Sequence, residues 1–298
     1  MNNSDKLSDL LKQRTILKIG GAYDALSAKL VETSGFDAIW AGSFAISATH
    51  ALPDASILTM TDFLRTSENM VDACNIPVIA DCDTGFGGPA NVSHAVKKYE
   101  KAGIAGISIE DKIFPKQNSL LENSKQELLP EKEFVAKIIA AKKSKINNNF
   151  MIIARTEALI ANKGIEEAIS RSDAYEHAGA DALLIHSKSN LPDQIFEFTD
   201  KWNGTIPIIV VPTSYPTVTL SQLIEHKIKM VIYANQSLRI AHKSISLLLK
   251  KIISTESLDA VNLDMSTMDE IFKLQEMYKI NDQEESIEKD LRKMGYVN

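Results

Sequence analysis

The sequence is poor in cysteine, which limits the kinds of site and fold it can form. Among 298 residues there are only two cysteines, Cys74 and Cys82. Two are too few for a disulfide framework and too few for a thiolate zinc site. Any metal site in this protein is therefore expected to use oxygen ligands.

Long apolar runs are also absent. No run reaches the roughly 18 residues needed to cross a bilayer. The first residues, MNNSDKLSDLLKQ, lack the apolar core of a signal peptide. We therefore expect a cytoplasmic protein with no membrane partner.

Positive charge is in deficit. Lys and Arg number 33 against 39 Asp and Glu, so the net charge is −6. This balance gives no basic field of the kind that holds a nucleic-acid backbone or an anionic membrane. We expect a small-molecule partner and no nucleic acid. With 44% hydrophobic residues, the chain can bury a large core.

Eight short apolar segments recur along the chain, each followed by an amphipathic helical stretch. Their apolar character is continuous, as in PVIAD, FMIIAR and DALLIH, which is typical of parallel strands covered on both faces. The predicted strands are 16–19, 37–41, 77–82, 104–110, 150–155, 181–186, 207–211 and 229–233. This order predicts one α/β domain over residues 1–298, a (β/α)8 TIM-type barrel. Two doubly wound domains are the alternative, but no Pro/Gly/Ser linker separates them.

Two segments depart from the alternation of strands and helices. Residues 111–130 separate the fourth strand from a helix beginning near Glu131, and loops this long in compact domains are often active-site lids. The stretch 264–298 lies beyond the eighth unit and is rich in Glu and Lys. It carries an apolar stripe at Met268, Ile271, Phe272 and Leu274. A helix with such a stripe needs a partner surface.

Acidic side chains gather where the third and fourth strands end, the edge at which barrels of this type carry functional groups. Asp81 and Asp83 close the third strand, and their i, i+2 spacing predicts that both side chains point to the same face. Glu110 and Asp111 close the fourth. Carboxylates from two adjacent strands predict a hard oxygen site for Mg²⁺, with Mn²⁺ as the alternative ion. The other interpretation is that these acids cap helices or face solvent.

The loop Gly85-Phe86-Gly87-Gly88 follows the third strand but is not a phosphate-binding motif. It lacks the Lys-Ser/Thr of a P-loop and the spacing of a dinucleotide fingerprint. Its glycines are expected to let the backbone turn tightly beside the acids.

Cationic and donor groups follow other strands or lie in the segment 111–130. They are Arg155, His186, Lys116, Asn118 and Ser119. Together they suit an anion, because a planar guanidinium at a strand end matches carboxylate or phosphate. The alternatives are an ion pair between Arg155 and Glu157 and a purely structural role for His186.

The run EDKIFPKQNS at residues 110–119 closely resembles the lid of the phosphoenolpyruvate mutases, and the resemblance covers nearly the whole chain. It continues, in that family's order and spacing, through GAYDALSAKLVETSGFDAIW, LPDASILTM, IADCDTGFGG, ARTEALIA, AGADALLIHSK, VVPTSYP and MVIYANQSLR. The chain is identified as a member of the isocitrate-lyase-like superfamily. The resemblance implies a Mg²⁺-dependent isomerase that interconverts phosphoenolpyruvate and phosphonopyruvate, forming the C–P bond of phosphonate biosynthesis.

Three activities of this superfamily compete, and the lid discriminates among them. Isocitrate- and methylisocitrate-type lyases use a cysteine acid in a Lys-Lys/Arg-Cys-Gly-His loop, whereas this chain has no cysteine after Cys82. Phosphonopyruvate hydrolases, which release pyruvate and phosphate, carry threonine at the position of Asn118. Asparagine is the mutase pattern. Hydrolase activity is the alternative, and a carbon–carbon lyase of 2-oxo acids or a non-catalytic metabolite-binding barrel is more remote.

The resemblance also implies a metal site. Asp81 would hold Mg²⁺, with Asp83, Glu110 and Asp54 reached largely through water. The ion would bind the enolate and carboxylate oxygens of the substrate. A phosphoryl route through free metaphosphate and a route through Asp54 both remain open.

Other residues are implied to bind the two ends of the substrate. Arg155, His186 and Asn118 would surround the phosphoryl oxygens, while Lys116 and Ser119 help the lid to close. Trp40 and the segment Gly42-Ser43-Phe44 would bind the carboxylate. Here the sequence departs from the family, because mutases usually show Ser-Gly-Leu or Ser-Gly-Phe, so the hydroxyl is shifted by one residue.

The family resemblance finally implies an assembly. The C-terminal helical segment 264–298 is expected to cross to a neighbouring protomer, which would cover the apolar stripe around Ile271. A homodimer or homotetramer is therefore expected.

Overall fold

Eight parallel strands form a closed barrel in chain order. The computed structural model describes residues 2–259 and 265–296, and within them each strand pairs with the next while β8 pairs with β1. The strands are β1 Leu17–Ala22, β2 Ala38–Ala41, β3 Val78–Asp81, β4 Gly106–Glu110, β5 Met151–Thr156, β6 Ala182–Ile185, β7 Ile208–Val210 and β8 Ile228–Tyr233. The predicted (β/α)8 barrel is confirmed.

Helices alternate with these strands along the chain. They are α1 Asn3–Gln13, α2 Ala25–Thr33, α3 Ser43–Thr49, α4 Met60–Ala73, α5 Pro89–Lys101, α6 Glu131–Ser144, α7 Ile165–His177, α8 Asp193–Lys201, α9 Leu220–Glu225, α10 Gln236–Ile253, α11 Met268–Leu274 and α12 Met277–Lys293. Across the described residues, none of these helices combines the length and apolar character that crossing a bilayer requires.

The first strand extends further than the sequence predicts. It continues to Ala22 instead of ending at residue 19, because Gly20 and Gly21 stay in register with the neighbouring β2. A Cβ at Gly21 would lie 2.1 Å from the carbonyl oxygen of Ala234. Glycine therefore allows the end of β1 and the segment after β8 to approach closely at the edge where the polar groups gather.

The core has two parts because successive strand residues face opposite sides of the sheet. One buried cluster includes Ile19, Ile79, Ile153 and Leu184 from four different strands, together with Leu7 of α1. The other is the larger cluster between strands and helices. Packing on both sides explains why the strands read as continuous apolar runs.

The chain divides into two compact units, residues 1–239 and 240–298. The first carries the barrel. In the second, Asp269 of α11 pairs with Lys273 and accepts a hydrogen bond from Tyr278 of α12. Residues 264, 297 and 298 of the predicted extension 264–298 lie outside the described residues. A single domain over 1–298 and exchange of the extension between protomers stay predictions.

Candidate active site

Most of the predicted site residues meet at the carboxyl end of the barrel. They line a small inner cavity of about 70 Å³. The predicted residues in its wall are Trp40, Ser43, Asp54, Asp81, Lys116, Asn118, Ser119, Arg155 and His186. Residues 111–130, called the lid below, contribute part of this wall and end at Pro130, directly before α6.

The ammonium of Lys116 lies within the acid cluster. Its Nζ is 2.6 Å from Oδ1 of Asp83 and 3.0 Å from Oδ1 of Asp54. Burial opposes the charge, but the surrounding carboxylates, Asp83 and Glu110 above all, raise the pKa of Lys116 well above its ordinary value. The lid thus places a permanent cation among the strand-end acids.

Asp81 and Asp83 converge by a different route from the one predicted. Strand β3 ends at Asp81, and Asp83 has a left-handed backbone with φ of 51°. The turn brings the amide of Asp83 to 3.3 Å from Oδ1 of Asp81. Strand alternation is therefore the wrong explanation for their proximity. Burial raises the pKa of Asp83 to about 6, against the opposing charge of Lys116.

The glycine loop makes the tight turn that the sequence predicts. Gly85, Phe86 and Gly87 all have positive φ, at 86°, 61° and 140°. A Cβ at Gly85 would lie 2.6 Å from the side chain of Val92. The loop therefore needs glycine both for conformation and for space, and it leads directly into α5.

Buried carboxylate oxygens without partners indicate where a cation would fit. Both oxygens of Glu110 lack a hydrogen-bond partner among the described residues, although Nε of Arg155 lies 3.3 Å from Oε2. Across the same residues, no three His, Cys, Asp or Glu side chains are grouped to hold an ion directly. This pattern fits Mg²⁺, which often takes one or two carboxylates and keeps several waters. The assignment of Asp81, Asp83 and Glu110 to the metal stays a prediction.

Arg155, Glu157 and His186 form a buried polar chain. Nε of Arg155 is 2.5 Å from Oε1 of Glu157, and Nη2 is 3.1 Å from Nδ1 of His186. The ion pair weighed in the sequence analysis as an alternative is thus present, and it holds the guanidinium in the cavity wall. Burial lowers the pKa of His186, although Glu157 opposes this. The imidazole is therefore a neutral group near pH 7.

Glu157 also forms polar contacts with the lid. Ser119 donates to Oε2 of Glu157 at 2.5 Å, and Nζ of Lys112 lies 2.6 Å from the Ser119 hydroxyl. Lys112 is only 2% exposed and pairs with Glu157 at 3.2 Å. Sequence reasoning missed Lys112 and treated Glu157 only as a competing partner for Arg155. The available signal was the two-residue spacing between Arg155 and Glu157 at the end of β5.

Asn118 is fixed by two hydrogen bonds. Its Nδ2 donates to Oδ2 of Asp54 at 2.7 Å, and its Oδ1 accepts from the amide of Leu120 at 3.0 Å. The amide group is therefore oriented before any ligand enters, at the side of the cavity where Lys116 also contacts Asp54.

The shifted serine faces the acids. Gly42 is the N-cap of α3, and the buried Ser43 donates to Oδ2 of Asp81 at 3.0 Å. The Ser43 hydroxyl also lies 3.2 Å from Nζ of Lys116. Phe44 is 41% exposed and lines a wider outer cavity of about 880 Å³, called the vestibule below. The predicted carboxylate contact of Gly42, Ser43 and Phe44 stays a prediction.

Asp111 belongs to the structural core rather than to the cavity. It is fully buried and accepts from Tyr175 at 2.7 Å and from the amide of Glu157 at 2.8 Å. Arg171 lies 3.3 Å from the same carboxylate. The expectation that Asp111 adds to the strand-end acids of the site is wrong, because its side chain turns toward α7.

Comparison with known proteins places this site in a family. The family model of phosphoenolpyruvate phosphomutase matches residues 7–253. The phosphonopyruvate hydrolase of Variovorax sp. is 40% identical over 92% of this chain and 95% of its own length. The phosphoenolpyruvate phosphomutase of Tetrahymena pyriformis is 40% identical over 91% of this chain and 90% of its own.

Solved structures of two related proteins are similar to this chain over nearly its whole length. The phosphoenolpyruvate phosphomutase of Streptomyces platensis subsp. rosaceus has a TM-score of 0.94 at 42% identity, covering 95% of this chain and 99% of that one. A phosphonopyruvate hydrolase in complex with oxalate and Mg²⁺ has a TM-score of 0.89 at 38% identity, covering 94% and 97%. The chain therefore belongs to the phosphoenolpyruvate phosphomutase family.

Proposed function

We propose that this protein is a Mg²⁺-dependent phosphoenolpyruvate phosphomutase that interconverts phosphoenolpyruvate and phosphonopyruvate. The observation that carries the proposal is Asn118, whose amide is held over the cavity by Asp54. An amide can donate a hydrogen bond to a phosphoryl oxygen but cannot remove a proton from water. The lid therefore favours transfer to carbon over hydrolysis.

The reaction breaks the bond between phosphorus and O2 and forms a bond between phosphorus and C3. Asp81 would hold Mg²⁺. Asp83, Glu110 and Asp54 would contact the ion largely through water. When bound, the ion supplies positive charge that stabilises the enolate oxygen. Arg155, His186 and Asn118 bind the phosphoryl oxygens and hold the group beside the enolate, within reach of both O2 and C3, so that positioning carries most of the catalysis.

Exclusion of water protects the transferred group. The inner cavity is small, and Lys116, Asn118 and Ser119 of the lid form part of its wall. Lys116 offsets part of the negative charge of the acids, and Ser119 fastens the lid to Glu157. A phosphoryl group released inside this space meets C3 of the enolate before it meets solvent.

Phosphonopyruvate hydrolase is the second candidate. The Variovorax hydrolase is as similar to this chain, at 40% identity, as the Tetrahymena mutase. A superfamily lyase is not favoured, because Cys74 and Cys82 are both buried outside the cavity wall. The cysteine acid that such a lyase needs is therefore missing from the described site.

The test is ³¹P NMR of the purified protein with Mg²⁺ and phosphonopyruvate. The mutase predicts a phosphoenolpyruvate signal without early free phosphate. Immediate phosphate, with pyruvate in equal amount, would instead establish the hydrolase.

We also propose that the protein assembles as a homodimer or homotetramer through residues 264–298. Support comes from the apolar residues that α11 and α12 leave exposed. They are Met268, Ile271, Met277, Ile280, Ile287 and Leu291. A second copy of the same segment is a partner of matching apolar character.

A further inference from the structure

Two polar side chains in the cavity wall have no role in the mechanism above. Thr213 follows β7 and Asn235 follows β8, and both line the small inner cavity and the vestibule. Oγ1 of Thr213 and Oδ1 of Asn235 are buried without a hydrogen-bond partner in the described part of the chain. An unpaired buried polar atom is costly, so two of them facing one cavity indicate a ligand that supplies the partners.

The strand order shows which part of the barrel Thr213 and Asn235 face. In a closed eight-stranded barrel, β7 lies across from β3 and β8 lies across from β4. The acids Asp81 and Glu110 end β3 and β4. A substrate held on the acid side through its enolate and carboxylate oxygens therefore presents its remaining part toward Thr213 and Asn235.

The neighbouring strands identify that remaining part. Arg155 is the penultimate residue of β5 and His186 follows β6, which neighbours β7, so the groups expected to bind phosphoryl oxygens lie on the same side as β7 and β8. Val211 and Ala234, which share this wall, are apolar and suit the C3 methylene. Two neutral polar groups beside a methylene contact fit a phosphoryl group close to C3.

We propose that Thr213 and Asn235 bind the phosphoryl group on the side away from the metal and hold it while it moves between O2 and C3. The Thr213 hydroxyl donates one hydrogen bond. The Asn235 amide donates another once it turns to bring Nδ2 to the buried position, a rotation that leaves its shape unchanged. The inference rests on the proposed function, because it takes phosphoenolpyruvate and phosphonopyruvate as the ligands.

The experiment compares a ligand that has a phosphorus group with one that lacks it. Oxalate carries two carboxylates and no phosphoryl group, so it probes the metal side alone. Thr213→Val and Asn235→Leu are measured beside Thr217→Val, an exposed threonine of the same loop. Calorimetry with Mg²⁺ gives the Kd of oxalate, and ³¹P NMR gives kcat/KM for phosphonopyruvate.

Thr213→Val and Asn235→Leu are each expected to lower kcat/KM by about tenfold or more, because each removes a hydrogen bond to a charged group. The Kd of oxalate should stay within about twofold of the wild-type value. Thr213→Ser restores the hydroxyl and should recover most of the loss. Thr217→Val should change neither quantity.

Unchanged kcat/KM in both variants would overturn the proposal, and so would a parallel weakening of oxalate. Failure of the proposed function has a different signature: the wild type would bind oxalate yet form neither phosphoenolpyruvate nor phosphate. In that case calorimetry with phosphonopyruvate replaces kcat/KM, and a Kd unaffected by the variants would overturn the inference.

Discussion

We propose that the choice between mutase and hydrolase depends on Asn118. Its amide contacts Asp54 in the cavity, and threonine is expected from the sequence analysis at this position in phosphonopyruvate hydrolases. We expect Asn118→Thr to lower interconversion by on the order of 100-fold, because the amide no longer orients the phosphoryl oxygens. ³¹P NMR should show phosphate as the growing product.

The control is Asn190→Thr, which changes an exposed asparagine outside both cavities. It should match the wild type in rate and product. An Asn118→Thr protein that still forms phosphoenolpyruvate at the wild-type rate would show that Asn118 does not determine which reaction occurs.

His186 makes stability depend on pH. Burial lowers its pKa in the folded protein, whereas the unfolded chain takes up a proton near the ordinary value of 6.5. Stability from the neutral imidazole is therefore fully present above pH 6.5 and is lost as pH falls through the lowered pKa. One linked proton changes the free energy of unfolding by at most about 1.4 kcal/mol per pH unit.

Urea unfolding at pH 7.5 and 5.5 measures this effect. The wild type should lose more stability on acidification than His186→Gln, while His94→Gln, on an exposed site of α5, should behave as the wild type. Equal losses in the wild type and His186→Gln would contradict the prediction.

The lid is an element that makes several polar contacts with the barrel. Ser119 and Lys112 fasten it to Glu157, and Lys116 fastens it to Asp83 and Asp54. Ser119→Ala removes a charge-assisted bond worth about 1.5–3 kcal/mol. We therefore expect protease to cut between residues 111 and 130 about tenfold faster in this variant.

Mass spectrometry of timed digests locates the cuts. Ser144→Ala, on α6, removes only a local hydrogen bond to Ala140 and serves as the matched control. If Ser119→Ala and Ser144→Ala are cut in the lid at the same rate, Ser119 does not hold the lid.

Elements built from local pattern could be predicted, whereas contacts between distant segments could not. The eight strands follow from apolar runs, and the start of α6 follows from the signal at Glu131. The left-handed Asp83 and the turn of Asp111 toward α7 depend on partners far along the chain. For the same reason the link from Ser119 to Glu157 could not be foreseen, since it joins the lid to a different strand.

At the scale of the whole molecule, the second compact unit determines the predicted assembly. Deletion of residues 264–298 should give a monomer or aggregate, because it removes the apolar surfaces of α11 and α12. Size-exclusion chromatography with light scattering measures the mass. Replacing Glu284 and Glu285, exposed acids of α12, by glutamine is the control and should leave the mass unchanged. A deletion variant with the mass of the full-length assembly would contradict exchange of the segment.

The ends of the lid lie side by side. Lys112 forms an antiparallel bridge with Leu128, and the amide of Leu129 donates to the carbonyl of Asp111 at 2.8 Å. The lid is thus one closed loop, and Lys116, Asn118 and Ser119 lie between its paired ends in the sequence. Exchange of a single short stretch of coding DNA would therefore replace Lys116, Asn118 and Ser119 together, while the barrel keeps its acids and its guanidinium.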